Sequence, residues 1–243
     1  MGAAPTWSWN LANPEHLKLV QQGPEAFAQW RAENLTAELD LEGADLSGVN
    51  LARARIRNAN LRGANLTNAR LSRASLARAD LEGADLTGAD LGRASLADSN
   101  CRGANFTNVN LHWADFRGAR LEGAVLRHSR TMRTSFFNAN LAGADASQAT
   151  MIEVDLRNAN LTGANFSSSN MNGADISRAV LEGANFTQAM IRDSMWIMTD
   201  MRHANFEKAS LHRSDLSMAC YDDTTRFPDK FDPLNTGPKD AVD

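Results

Sequence analysis

A five-residue period runs through this chain from about position 39 to position 221 without a break in frame. A residue that is usually large and apolar, here called the centre, stands at position 41 and at every fifth position to 216, and 20 of these 36 centres are Leu. A small residue, most often Ala, stands two positions before each centre, and Asp or Asn commonly stands directly before it. The period matches neither the alternation of a strand nor the 3.6-residue repeat of a helix. A turn in every five-residue unit is the simplest backbone that keeps all the centres on one side.

A second period, of 20 residues, is superimposed on the first. It predicts square coils of four turns, stacked as short parallel strands about 4.8 Å apart, with identical positions above one another. Glycine fills one column of this grid, where it indicates a tight turn with positive φ: 43, 63, 83, 103, 123, 143, 163 and 183. Another column carries charges of alternating sign, which should pair along the stack: Glu42, Arg62, Glu82, Arg102 and Glu122.

Units such as LEGADLTGAD at 81–90 follow the pattern A(D/N)LXX, and the region 39–221 resembles the pentapeptide repeat family. The resemblance implies an all-β fold, a right-handed quadrilateral parallel β-helix (a solenoid) with centres and alanines inward. Right-handedness also agrees with the general rule for parallel crossovers. Thirty-six units would form about nine coils, and at strand spacing the rod would be roughly 43 Å long.

The segments on either side of the repeat predict a cap at each end. We expect a flexible N-terminus over 1–10, a helical N-terminal cap over 11–38, and a C-terminal cap and tail over 222–243. Asn13-Pro14 begins a helix over 14–22, and Gly23-Pro24 separates it from a second helix over 24–33. A cap would cover the apolar centres and unpaired edge of the first coil. A separate partner-binding hairpin is the alternative for 11–38.

Four centres are not the usual Leu, Phe, Ile or Met, namely Cys101, Thr131, Ala146 and Trp196, and two of them lead to predictions. Thr131 is polar and is flanked by Ser129 and Thr134, which predicts mutual or backbone hydrogen bonds inside the coil; a local bulge is the alternative. Trp196 is larger than an average centre, so we expect a distorted coil or a side chain that flips outward.

No pattern in the sequence indicates catalysis, and we expect neither an enzyme nor a cofactor or metal site. The five histidines lack metal-ligand spacing, Cys101 is a core position and Cys220 lies near the end of the repeat. Two cysteines give no disulfide framework, which suits a reducing compartment. Positions 1–10 lack the features of a secretory signal, and no apolar stretch is long enough to cross a membrane. These observations predict a cytoplasmic protein of bacterial type.

Two groups of outward residues are candidate interaction surfaces. The first is one column of the grid, Arg53, Arg73, Arg93, Trp113 and Arg133, with Met132 and Ile152 stacked beside it. It is either a solvated arginine-rich face or a docking site for an acidic protein surface or for nucleic-acid phosphates. The second is an apolar group that would contact a homodimer partner or the C-terminal tail: Met190, Met195, Ile197 and Met198.

These features favour a non-catalytic, rod-shaped scaffold that binds a partner protein through one face of the solenoid. The family resemblance implies an alternative: a DNA mimic that binds DNA gyrase or another topoisomerase and confers tolerance of quinolones or toxins. A mimic needs a sustained acidic stripe, whereas the repeat carries nearly equal numbers of acidic and basic residues. The net charge of −4 likewise gives no reason to expect direct binding of nucleic acid.

Overall fold

The computed structural model describes residues 12–233, so the predicted flexible segment 1–10 and the tail beyond 233 lie outside the described residues. Two short helices open the described part, α1 (Pro14–Gln21) and α2 (Pro24–Glu33). The Asn13 side chain accepts hydrogen bonds from the backbone N–H groups of Glu15 (2.9 Å) and His16 (3.4 Å), as an N-cap should. The first helix ends one residue before the predicted position, and the second has the predicted bounds.

The repeat forms a parallel solenoid whose coils contain 20 residues. From Asp40 to Asp200, before the final, shifted bridge, each residue that precedes a centre forms a parallel bridge with the residue 20 positions on, beginning with Asp40 and Asn60. Within 12–233 these bridges stay isolated and no longer strand forms, because a turn follows every bridge. The turn is closed by a hydrogen bond from Ala44 N–H to the carbonyl of Leu41 (3.1 Å), repeated along the rod. The last bridge joins Asn205 to Arg226, one residue out of register, and there the regular coil ends.

Every turn of the solenoid places the second residue after the centre at positive φ. This holds at each of the positions from 43 to 218, in all four columns, and most of those residues are not glycine. The prediction of positive φ for the glycine column is therefore confirmed, but the requirement extends to arginine and even to Trp113 (φ 62°). A residue with a Cβ in this region costs roughly 1–2 kcal/mol, so the stacked hydrogen bonds and the core must offset that strain.

The core is a single column of interlocking centres and small residues. Centres such as Leu86 and Phe186 are completely buried, and the alanines two positions before the centres fill the space between coils. Phe186 stacks between Phe166 (5.1 Å between ring centroids) and Phe206 (5.0 Å), with nearly parallel rings. Burying a side chain of this size stabilises the fold by about 1.5–3 kcal/mol.

Both ends of the described core are covered. At the first coil, Asn13 N–H donates to the carbonyl of Asp40 (3.2 Å), and Asp40 N–H donates to Nδ1 of His16 (3.1 Å). These two bonds take the places that a preceding coil would occupy. At the other end, Phe227 continues the phenylalanine stack over Phe206, with 5.8 Å between ring centroids.

The polar centre Thr131 keeps the regular register. Its hydroxyl donates to the carbonyl of Thr150 (3.2 Å), and Thr134 donates to the carbonyl of Leu111 (2.6 Å). The Ser129 hydroxyl has no hydrogen-bond partner among the described residues. Backbone hydrogen bonding therefore explains two of the three hydroxyls, and the bridge between Arg130 and Thr150 shows that no bulge forms.

The expectation of distortion at Trp196 is wrong. Its side chain points inward, is completely buried and lies edge-on to Phe186 (5.4 Å) and Phe206 (5.6 Å). The indole N–H donates to the Ser194 hydroxyl at 2.7 Å, and the neighbouring bridge from Met195 to the next coil is kept. A serine where most units have alanine thus supplies the acceptor that a buried indole needs.

Candidate partner-binding face

The predicted arginine column lies on one side of the rod, here called the third face. This face consists of the five-residue units whose centres are Leu51, Leu71, Leu91, Leu111, Thr131 and their successors at 20-residue spacing. The column occupies the positive-φ turn position of five coils in succession, and all of its side chains are exposed: Arg53, Arg73, Arg93, Trp113 and Arg133. The 20-residue grid therefore brings these residues together as the sequence predicted.

Three guanidinium groups of this column have no counter-ion in the part of the chain that the structure describes. Among residues 12–233, no carboxylate lies within 4 Å of the side-chain nitrogens of Arg53, Arg73 or Arg93. The first face, whose centres begin with Leu41, behaves differently. There Arg62 pairs with Glu82 at 2.7 Å. Arg102, two coils further along the same column, pairs with Glu122 at 2.6 Å. Arg53, Arg73 and Arg93 therefore form a stacked column without a carboxylate partner among residues 12–233, whereas these two arginines of the first face are paired.

The charges of the rod are divided between its faces. The outward positions of the third face carry more arginines (Arg53, Arg70, Arg73, Arg93, Arg130, Arg133, Arg192 and Arg213) than carboxylates (Asp90, Glu153 and Asp193). The first face has the reverse balance, with carboxylates at Asp40, Glu42, Asp80, Glu82, Glu122, Glu182 and Asp200 and arginines at Arg62, Arg102, Arg120 and Arg202. The near-neutral total conceals a basic side that can attract an acidic surface.

An aromatic and apolar group marks the end of the arginine column. Trp113 is half exposed, and the Arg133 guanidinium carbon lies 4.9 Å from the centroid of its ring. Arg133 also donates to the carboxylate of Glu153, which raises the pKa of Arg133. Met132 and Ile152 are half-buried in the adjoining column. The column therefore places exposed arginine side chains next to Trp113, whose ring is held in one orientation by Arg133.

Sequence reasoning missed Arg130 as a member of this surface. It directly precedes a centre of the third face, is exposed and has no ion pair with a residue in the described range. Arg70 occupies the same position three coils earlier and is also exposed. The signal was available, because both positions fall in one column of the 20-residue grid. The predicted arginine column includes only positions two residues after each centre, and Arg70 and Arg130 directly precede centres.

The methionine group is an exposed apolar patch near the C-terminal end of the rod. Met190, Met195 and Met198 are 43%, 45% and 43% exposed, and Ile197 is half-buried. Met218, which is 71% exposed, lies one coil beyond Met198 in the same column and was missed by the sequence analysis. The tail residues up to 233 leave these side chains exposed and stack instead on the phenylalanine ladder.

The described part of the chain contains few groups that could carry out chemistry. No group of three or more His, Cys, Asp or Glu residues with metal-binding geometry occurs in 12–233. Cys101 is buried, and burial raises the pKa of its thiol to about 12, whereas Cys220 is exposed; neither forms a disulfide. None of the helices in the described range is long and apolar enough to cross a membrane.

Comparison with known proteins identifies the repeat. The family model for pentapeptide repeats matches in eight copies between positions 37 and 188. No curated protein matches the chain. The structure of HetL, a pentapeptide repeat protein involved in heterocyst differentiation regulation in the cyanobacterium Nostoc, is 28% identical, covers 75% of this chain and 85% of HetL, and has a TM-score of 0.46. QnrB1, a plasmid-mediated fluoroquinolone resistance protein, is 18% identical, covers 76% of this chain and 90% of QnrB1, and has a TM-score of 0.52. The chain therefore belongs to the pentapeptide repeat family, whose fold is the right-handed parallel β-helix.

Proposed function

We propose that this protein is a non-catalytic scaffold, a rod of nine coils that binds an acidic surface of a partner protein on its third face. One observation carries the proposal: Arg53, Arg73 and Arg93 stand exposed in one column without counter-ions from residues 12–233. Neighbouring coils are about 4.8 Å apart, so these like charges repel along the stack. Carboxylates of a partner would relieve that repulsion and steer the encounter.

The end of the column favours a protein partner over nucleic acid. Tryptophan, methionine and arginine are enriched in the centres of protein interfaces, and Trp113, Met132 and Arg133 lie side by side here. A nucleic-acid backbone would draw on positive charge along the whole rod, whereas the acidic first face limits the basic region to one side. The expected interface therefore has charged contacts over the first coils and an apolar anchor at Trp113.

Binding to gyrase as a DNA mimic is the competing function, and the first face supports it less well. The carboxylates of that face are interrupted by Arg62 and Arg102, which pair with Glu82 and Glu122 at 2.7 and 2.6 Å. A supercoiling assay tests this alternative. We expect no effect of the protein on gyrase with or without a fluoroquinolone, and protection would favour the mimic.

The methionine patch supports a second contact, with another copy of this chain. Met195, Met198 and Met218 lie together on the fourth face, whose centres begin with Ile56, and remain exposed. An apolar group of this kind commonly marks an interaction site. Sedimentation of the wild type and of the Met198→Glu, Met218→Glu double variant tests it. A monomeric wild type would contradict the contact.

Capture of partners from a lysate of the organism that encodes the protein tests the scaffold proposal. The Arg73→Glu, Arg93→Glu double variant should lose the captured protein, and added salt should weaken capture by the wild type. Arg178→Glu is the matched control, because Arg178 is an exposed arginine at the same turn position on the fourth face. Equal capture by all three proteins would show that the third face is not the binding surface.

A further inference from the structure

The arginine column of the third face has a regular spacing along the rod, and that spacing constrains the shape of a partner. Arg53, Arg73 and Arg93 occupy the same turn position in three successive coils, and Trp113 occupies it in the fourth. Parallel bridges at 20-residue intervals hold these coils in register. At the spacing of paired strands, Arg73, Arg93 and Trp113 lie about 4.8, 9.6 and 14.4 Å along the rod axis from Arg53.

A second column of the third face runs directly beside the arginines, one position earlier in each coil. It begins with small residues and continues with larger ones: Ala52, Ser72, Gly92, His112, Met132 and Ile152. Over the first three coils the long, exposed arginine side chains therefore stand next to a strip of short side chains. An element of a partner can approach the backbone closely along that strip and still reach the arginines at its edge.

Positive charge dominates the first four coils of this face. Their outward positions carry Arg70 besides the three arginines of the column, and Asp90 is their one carboxylate. The Asp90 Oδ1 atom accepts from the Gly92 N–H (3.1 Å) and from the Asn110 side-chain amide (2.8 Å), and the carboxylate does not pair with Arg93. Within the described residues the charge of the column is thus left for carboxylates of another molecule to balance.

We propose that the partner presents an acidic α-helix, which lies along the rod axis over this column; the inference rests on the partner-binding function proposed above. Residues i, i+3, i+7 and i+10 lie on one side of a helix, and the last three are about 4.5, 10.5 and 15 Å beyond the first, since the rise is 1.5 Å per residue. Each of these positions is within about 1 Å of a position in the column. Carboxylates at i, i+3 and i+7 then face the three arginines, and an apolar residue at i+10 covers the exposed half of Trp113.

An extended segment fits the column less well than a helix does. Side chains on one side of a strand are about 6.7 Å apart, so the fourth of them falls about 6 Å beyond Trp113 when the first lies over Arg53. The helical spacing also reads the same from both ends, because the intervals of three, four and three residues are symmetrical. The helix can therefore run in either direction along the rod, with its apolar residue at the Trp113 end.

Peptides of defined shape test this inference by fluorescence anisotropy with the full chain. The first probe is an alanine-rich helix, cross-linked to stay helical, with Glu at i, i+3 and i+7 and Leu at i+10, made in both chain orders. The second has the same composition and cross-link but distributes its Glu residues around the helix. The third is a strand-forming probe with the same Glu and Leu residues at alternate positions. We expect the tighter of the two first probes to bind about tenfold more tightly than the others, because it alone forms all three ion pairs together.

Two variants examine the column and the strip beside it, and circular dichroism checks that each is folded. The Arg73→Glu, Arg93→Glu double variant should lose the first probe and bind a version with Lys at i+3 and i+7, whereas Arg178→Glu should bind like the wild type. Ser72→Met gives the strip a residue that its own column accepts at Met132, and should weaken binding several-fold by keeping the helix away from the backbone. Its control is Ala97→Met, at the same position of the fourth face, where Phe137 shows that a large residue fits.

The outcomes separate this inference from the function on which it rests. Equal binding of all three kinds of probe, with loss of binding in the double arginine variant, would overturn the helical partner and leave an acidic partner of the third face in place. Tightest binding of the strand-forming probe would do the same. No binding of any probe, or equal binding by the wild type and the double arginine variant, would overturn both proposals.

Discussion

The guanidinium of Arg133 lies over the indole of Trp113, 4.9 Å from the ring centroid, while half of the indole side chain remains exposed. The two residues occupy the same turn position in adjacent coils, and Glu153 in the next coil accepts from Arg133. This arrangement fixes the orientation of Trp113 before any partner arrives. A partner that covers an oriented side chain loses less entropy than one that must order it.

Trp113→Gly should abolish partner capture while leaving the rod folded. Glycine removes the strain of positive φ (about 1–2 kcal/mol), which offsets the lost cation–π contact (about 0.5–1 kcal/mol) and the greater freedom of glycine in the unfolded chain (about 0.4–1 kcal/mol). Urea unfolding should therefore show a change below about 1 kcal/mol. A large loss of stability would mean that Trp113 is structural and not a binding residue.

The backbone of this fold could be predicted almost completely from the sequence, because one period governs it. A leucine such as Leu86 occupies the buried centre of its five-residue unit, and the same position is buried in every coil. Each repeat of the pattern therefore supports the same interpretation of the others. The backbone strain was underestimated for the same reason. A glycine in the sequence indicates positive φ, but an arginine such as Arg53 or a tryptophan such as Trp113 does not, although both residues have positive φ.

Gly103→Ala should destabilise the protein by about 1 kcal/mol, although no atom lies within 4 Å of the added Cβ. The cost comes from the positive φ of 60° (about 1–2 kcal/mol), reduced by the lower entropy of the unfolded alanine chain (about 0.4–1 kcal/mol). Denaturant unfolding measures the difference. Gly103→Asn should be milder, because asparagine tolerates this region better than alanine. An alanine variant as stable as the wild type would contradict the backbone argument.

Ser194→Ala should destabilise the fold by about 1–3 kcal/mol, since it leaves the buried indole N–H of Trp196 without its acceptor at 2.7 Å. In Trp196→Phe that donor is absent, so Ser194→Ala should cost less in the phenylalanine background. A double-mutant cycle by urea unfolding measures the coupling between the two side chains. Additive effects would show that the hydrogen bond contributes little.

Trp196 also shows where the sequence failed to predict the core. Side-chain volume alone suggested that the residue could not fit, whereas its neighbours decide the outcome. Ser194 accepts its N–H, and two phenylalanine rings receive its edges. Ser194 lies in the same five-residue unit as Trp196, whereas the two phenylalanines belong to another column of the grid, and a serine and an indole meet in this way only where both happen to occur.

Stability should fall as the pH drops below about 4, because the carboxylates that pair with arginine become protonated. The two hydrogen bonds from the Arg117 guanidinium, each 2.8 Å, hold the pKa of Asp115 below its ordinary value of 3.8. A carboxyl whose folded pKa is depressed contributes stability above its unfolded pKa and loses that contribution as the pH falls through the folded pKa. Unfolding of the wild type and of Asp115→Asn between neutral and acidic pH should show a smaller loss in the variant. Parallel profiles would contradict the role of this pair.

Deletion of residues 11–38 should convert the rod into a self-associating protein. The segment buries Val20 and Phe27 against the core and closes the edge of the first coil through Asn13 and His16, which bond to the backbone of Asp40. Without it, apolar centres and unpaired backbone groups face solvent, and such an edge readily pairs with another chain. Light scattering coupled to size exclusion measures the change, and Phe27→Ser, which weakens the same contact within the full chain, should associate less. A truncated protein that stays monomeric and soluble would show that 11–38 is not a cap but an independent segment.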